Sequence, residues 1–301
     1  MNNASLEVLQ SKQYPAGVTI VSGRGGLPEI HIDNRFCKAE IALLGGQILH
    51  YQRIEDREPL LFCSEQAFFQ LGKGIKGGAP ICWPWFGQSD RCTGAHGFAR
   101  SAIWNLDAAL IDECGVTQID MSLPADIIEQ NSQWPFQAAL KTSIRVGKWL
   151  SIELTTENLG AEPIPLTQAL HTYFKVGDIN QVSISGLEQS AYLDNLEGLS
   201  RNPATGEAIT FAGEFDRIYD QVSGAITITD TCFDRTITIE TEGSGSAIVW
   251  NPWVDKARAM ADFAEHEYRH MVCVETANAG NDKHILQPGK NHKLAVKYKL
   301  A

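Results

Sequence analysis

No run in the sequence approaches the roughly 18 apolar residues a membrane-spanning helix needs. Cations are scarce as well: 25 Lys and Arg stand against 36 Asp and Glu, a formal net charge of −11. Nucleic-acid binding needs a basic surface that displaces counterions from phosphate, and an anionic membrane needs the same, so neither partner is expected. A small anionic substrate is compatible with this balance only if a local cationic pocket opposes the global field. The seven cysteines, Cys37, Cys63, Cys82, Cys92, Cys114, Cys232 and Cys273, form no C-x-x-C pair. A zinc ribbon or thioredoxin-like site is therefore unsupported. Scattered, odd in number, they read as free thiols in a reducing compartment, and the expected location is the cytoplasm. The opening MNNASLEVLQ has no basic region followed by an apolar run, so no secretory signal is expected. Repeats, low-complexity tracts and Pro- or Ser-rich linkers are missing too. Residues 1–301 are therefore read as a single domain.

Long amphipathic helices are not evident, and only Pro124 to Gln130 suggests a short helical turn. What dominates instead is a period of two. Ile144 and Val146, Ile152 and Leu154, Val182 and Ile184, Ile226 and Ile228, and Ile237 and Ile239 each alternate with polar residues. Leu294, Val296, Tyr298 and Leu300 close the chain in the same way. Alternation sends one face of a strand to a core and the other to solvent. Turn signals at Glu157–Gly160, Asn202-Pro203 and Thr241–Gly245 separate these runs. The expectation is an all-β fold, an antiparallel sandwich or barrel.

Four segments carry candidate chemistry. In Lys76–Gly87, KGGAPICWPWFG, glycines permit close backbone approach and prolines stiffen the chain beyond them. Its Trp-Pro-Trp run is either a platform for a sugar ring or a buried aromatic corner. The stretch is not a P-loop, because it lacks the G-x-x-x-x-G-K-[ST] order. In His96–Arg100, HGFAR, the planar guanidinium of Arg100 suits a phosphate or carboxylate, or else a surface ion pair. In Leu170–Phe174, LHTYF, an apolar strand ends in His171 flanked by aromatics, either a core histidine or a catalytic one. In Met271–Asn278, alternation puts Met271, Cys273 and Glu275 on one face. A carboxylate there is costly unless it is paired or functional. A fifth segment, His266–His270, matches H-E-x-x-H, the zinc-protease pattern. That pattern ligates zinc only on a helix, and here it runs directly into a β-like stretch, so it reads as a chance match on a solvated connection.

Taken together, KGGAPICWPWFG, HGFAR, LHTYF, FDRIY, VWNPW and VCVETAN resemble, in order and spacing, the sugar-phosphate branch of the aldose 1-epimerase family, the D-hexose-6-phosphate mutarotases (glucose-6-phosphate 1-epimerases). The resemblance implies a large antiparallel β-sandwich of the galactose-mutarotase type. It implies an isomerase that interconverts the anomers of an aldose 6-phosphate, above all glucose 6-phosphate, with no cofactor and no metal. On this resemblance the catalytic histidine is His171 and the catalytic glutamate Glu275. The phosphate ligands are Lys76 and Arg100, a sugar-hydroxyl ligand is Asp216, and His96 contacts substrate. Lys76 departs from the Arg often found there and gives up the bidentate fork. Ala95 departs from a glutamine found in some relatives. Anomer exchange needs a base for the C1 hydroxyl proton and an acid for the ring oxygen, and Glu275 ionised and His171 protonated suit those roles. A neighbouring carboxylate is expected to raise the His171 pKa. A monomer is the default, and a neutral-aldose mutarotase or a non-catalytic sugar-binding sandwich are the competing readings.

Overall fold

The structure, a computed structural model, describes residues 3–89 and 92–301. Two eight-stranded sheets dominate, joined by a four-stranded meander and a two-stranded ribbon, and every strand-to-strand pairing in them is antiparallel. The back sheet runs in the order Val182–Ser185, Ile226–Asp230, Arg235–Glu242, Asn291–Leu300, Leu150–Asn158, Ala138–Val146, Thr117–Ser122, Asn105–Ile111. Its strands are the ones the period of two marks out. Ala138–Val146 and Leu150–Asn158 bury every second residue, as a sheet with one face on a core must.

The front sheet runs in the order Ser200–Asn202, Tyr192–Asp194, Phe215–Asp220, Ser246–Asn251, Met271–Asn278, Gln168–Leu170, Ile81–Cys82, and Tyr173–Lys175 also pairs with Met271–Asn278. Here the alternation fails for a physical reason. All residues of Ser246–Asn251 and Met271–Asn278 are buried, because loops cover the face turned away from the back sheet. The sheets meet through Phe174 packed edge-on to Tyr298 at 5.3 Å and through a 2.6 Å hydrogen bond between the Thr172 and Tyr298 hydroxyls. One continuous apolar cluster runs from Leu9 to Tyr298.

The helical turn read at Pro124 to Gln130 is the helix Ala125–Glu129. Two further helices, Asn3–Gln10 and Trp253–Ala259, carry no pattern that marks them in the sequence. No helix among the described residues is long and apolar enough to cross a membrane.

The H-E-x-x-H segment forms a 3₁₀ turn over Glu265–His270 that leads straight into Met271–Asn278. At about three residues per turn, positions four apart do not share a face as they would on an α-helix, although His266 and His270 both line one open cavity. The segment is not simply a solvated connection, however. Glu267 is buried, and its carboxylate accepts hydrogen bonds from Ser64 Oγ at 2.6 Å and from the Glu65 and Ala264 N–H groups at 2.7 and 2.8 Å. Both its oxygens are engaged, and they tie the turn to the segment around Ser64.

Candidate active site

The centre of the site is set by strand register. Leu170 lies opposite Thr276 and Tyr173 opposite Cys273. The register is the same on both sides of the short break between them, which sets His171 opposite Glu275. Their side chains meet, with Nε2 of His171 3.3 Å from Oε1 of Glu275. Both residues are buried. Each keeps one polar atom without a partner, His171 Nδ1 and Glu275 Oε2. An unpaired buried polar group costs about 1–3 kcal/mol, so two in contacting residues set this pair apart as a candidate site.

The Lys76–Gly87 segment lies directly beside this pair. The His171 N–H donates to the Pro80 carbonyl at 2.9 Å and the Tyr173 N–H to the Gly78 carbonyl at 2.8 Å. Gly78, at φ +64, lets that segment press on its neighbour: a Cβ there would stand 2.1 Å from the Ile48 oxygen. Lys76 is thereby fixed on the backbone next to the histidine. The tryptophans of the same segment are the buried corner, not the platform. Trp83 is fully buried, donates to Thr156 Oγ1 at 3.0 Å and packs edge-on against Trp134 at 4.8 Å. The aromatics that do frame the pair are Tyr173, stacked on the His171 ring at 4.9 Å, and Trp250, edge-on at 6.0 Å.

HGFAR reaches the site through a tight loop. Gly97 has φ +68, and a Cβ there would lie 1.9 Å from the Trp83 oxygen. Gly97→Ala is expected to destabilise the protein by about 2–4 kcal/mol, from clash and left-handed strain together. A thermal or denaturant melt checks this, and a loss below about 0.5 kcal/mol would contradict the tight fit. The loop brings the His96 ring to 5.7 Å from His171. Burial, with help from Arg100 and Lys76, pushes the His96 pKa down to about 3, so its imidazole is neutral. Its Nδ1 accepts a long 3.4 Å bond from the Gly87 N–H, which leaves the ring proton on Nε2 as a donor. Arg100 sits in the 3₁₀ turn Ala99–Ser101 and spends one nitrogen on the Ala95 carbonyl at 2.9 Å. The residue at position 95 thus contributes its backbone, whatever its side chain.

Lys76 and Arg100 line one cavity of about 260 Å³ together with Lys73, Pro80, Tyr173 and Asp262. Tyr173 is the shared wall: one ring separates this cationic cavity from the imidazole. A larger cavity, about 530 Å³ and lined by Arg24, Phe62, Lys175 and His270 among others, holds none of the six residues expected from the sequence. Asp216 stands in the front sheet opposite Trp250, which in turn lies opposite Cys273. One of its oxygens accepts from Asn195 Nδ2 at 2.7 Å. Burial raises its pKa, and the Asn195 bond offsets part of that rise.

The electrostatics correct one expectation. Glu275 does not raise the His171 pKa to hold a proton. Burial first, then His96, Lys76 and Arg100, push His171 well below the ordinary histidine value. Burial first, then Asp216, push Glu275 well above the ordinary carboxyl value, with Arg100 opposing. Both groups are therefore held toward their neutral forms.

Residues 28–299 match the aldose 1-epimerase family. The chain belongs to the aldose 1-epimerase family. It is 37% identical over 285 residues to a protein of Cenchrus ciliaris named "Putative glucose-6-phosphate 1-epimerase", covering 92% of this chain and 83% of the relative. A protein of the same name from Escherichia coli is 33% identical over 264 residues, covering 87% of each chain. The crystal structure of "a putative mutarotase (YeaD) from Salmonella typhimurium" superposes with a TM-score of 0.88 at 28% identity, over 99% of this chain and 98% of that one. The fold of this aldose 1-epimerase is accordingly the expected mutarotase sandwich. Two charged members of the cavity escape a reading of the sequence. Lys73 has a local signal, a second lysine three residues before Lys76. Asp262 has none, because its contact with Lys76 is made only by tertiary folding.

Proposed function

We propose that this enzyme interconverts the α and β anomers of a hexose 6-phosphate, glucose 6-phosphate first among them, with His171 and Glu275 as the acid–base pair. The observation that carries the reading is the contacting His171–Glu275 pair, with an unsatisfied polar atom on each residue, one aromatic ring away from a cavity with three cations. The names carried by the relatives support the same substrate class.

The chemistry turns on one shared proton. Ring opening breaks the C1–O5 bond: the unprotonated member of the pair takes the C1 hydroxyl proton, and the protonated member gives its proton to O5. Rotation about C1–C2 turns the other face of the aldehyde to O5. Closure runs the transfers backwards and restores the pair. Each half-reaction moves the proton from one member to the other, so a full turnover visits both tautomers. The roles read from the sequence, Glu275 as base and His171 as acid, describe one of them. The neutral His171 with protonated Glu275 is the other, the one that burial favours. His96, through Nε2–H, and Asp216, through its remaining oxygen, are placed to bind sugar hydroxyls. Lys76, Arg100 and Lys73 take the 6-phosphate, whose binding orients C1 without reacting.

The free thiols, three of them buried, support the cytoplasm, and the core cluster from Leu9 to Tyr298 supports a single domain. The deciding experiment follows freshly dissolved α-D-glucose 6-phosphate to anomeric equilibrium with and without the protein, beside free glucose. Acceleration of the phosphate ester is the expected result. Acceleration of free glucose alone would replace it with a neutral-aldose mutarotase, and acceleration of neither with a sugar-binding sandwich. Lys73→Ala should raise KM for glucose 6-phosphate about three- to tenfold at nearly constant kcat, the signature of lost uniform binding by an exposed cation. Steady-state kinetics check this, and an unchanged KM would remove Lys73 from the phosphate contacts.

A further inference from the structure

The cavity beside Tyr173 contains one residue that does not belong in an anion pocket. Among Lys73, Lys76 and Arg100 stands the carboxylate of Asp262. Its Oδ2 lies 3.8 Å from Lys76 Nζ, and the two side chains are only 24% and 22% exposed. A charge in such a place is screened less than one on the open surface, so it repels a second anion and competes with it for the lysine.

The fold delivers Asp262 to this position. It lies between the helix Trp253–Ala259 and the 3₁₀ turn Glu265–His270. The next residue, Phe263, is buried and packs on Phe62 at 5.7 Å, and Phe62 stacks on Tyr173 at 6.4 Å. The backbone at Asp262 is thus anchored to the cavity wall. Lys76 gives the physical reason for a carboxylate there. Burial draws its ammonium toward the neutral form, and Asp262 opposes that pull. An empty pocket with three cations and no counter-charge would be costly to keep desolvated.

We propose that Asp262 is the resident anion of the phosphate cavity, paired with Lys76 while the site is empty and displaced from it when the phosphate of the substrate binds. The inference rests on the reading of this cavity as the phosphate site. Asp262 then sets the affinity and the charge selectivity of the pocket. A phosphoryl dianion can take over Lys76 with Arg100 and Lys73 in support. A monoanion such as acetate gains too little to break the existing pair. Affinity given up in this way is given up equally by bound substrate and transition state, so it eases release without slowing the chemical step.

Calorimetric titration of inorganic phosphate, then of acetate, into the wild-type enzyme, Asp262→Asn and Asp262→Ser tests this, at about pH 8 where phosphate is largely a dianion. In both variants phosphate is expected to bind about three- to tenfold more tightly, the range of a half-buried charge contact. Acetate binding should become measurable, and KM for glucose 6-phosphate should fall. Weaker or unchanged phosphate binding in a variant that melts like the wild type would overturn the inference, leaving Asp262 as a support for Lys76. The serine variant keeps the test open if the asparagine variant does not fold. A wild-type enzyme that binds no phosphate would remove the phosphate reading of the cavity, and this inference with it, before any variant is compared.

Discussion

Glu275→Gln should lower kcat for anomerisation by about 10²–10⁴-fold, the usual contribution of a positioned acid or base, while leaving a folded protein that still binds phosphate. Glutamine matches the shape of the carboxyl group but can neither hold nor give up a proton at working pH. The cycle fails at its first transfer in either direction, because both tautomers of the His171–Glu275 pair are needed in each turnover. Stability should change little, since a neutral amide replaces a carboxyl group that is itself held toward its neutral form. The same geometry fixes the sign of the pH dependence. Below the lowered His171 pKa a second proton enters the pair, and no base remains. Above the raised Glu275 pKa the single proton leaves, and no acid remains. The rate should therefore fall on both sides of a broad plateau whose limbs belong to the coupled pair. Glu275→Gln should flatten the alkaline limb of whatever rate survives. The enzyme-dependent part of the polarimetric relaxation of α-D-glucose 6-phosphate measures both effects. A variant within about threefold of wild type would remove Glu275 from the chemistry.

How far the sequence reaches depends on whether a signal is local. The back sheet is legible because one face of each strand meets water, so Ile144, Ile152 and Ile237 announce themselves by alternation. The front sheet is less legible because its central strands are buried on both faces. Along Met271–Asn278 period two still assigns Glu275 to a face but gives no hint that the other face is covered as well. The helix Trp253–Ala259 escapes notice because its seven residues are too few to show a helical period and its start at Pro252 lacks a capping side chain. At the site, His171 and Glu275 are visible as residue types at strand ends and as family motifs, but their contact depends on pairing between distant segments. Their protonation is legible still less. A sequence suggests that a carboxylate lies near a histidine. It does not show that burial and three flanking groups push the histidine away from its charged form. The Trp-Pro-Trp run stays open in the sequence for a related reason: tryptophan serves both a core and a sugar platform, and Thr156 and Trp134 decide for the core at Trp83.

Arg100→Ala should cost about 30- to 1000-fold in kcat/KM for glucose 6-phosphate and far less for free glucose, because a half-buried cation that meets a phosphate is expensive to remove. The expected loss is large for three reasons. Arg100 is the guanidinium of the cavity, and its remaining N–H groups suit the planar, forked recognition that Lys76 cannot supply. It also opposes the rise of the Glu275 pKa, so its removal pushes the carboxyl group further toward its neutral form. Finally, its bond to the Ala95 carbonyl steadies the loop that carries His96. Arg100→Lys separates these contributions. It restores the charge and its pull on Glu275 but not the fork, so its activity on the 6-phosphate should lie between those of alanine and wild type. Initial rates on both sugars, measured for the three proteins, give the comparison. Equal losses on glucose and glucose 6-phosphate would assign Arg100 to the loop alone and leave the phosphate to the two lysines.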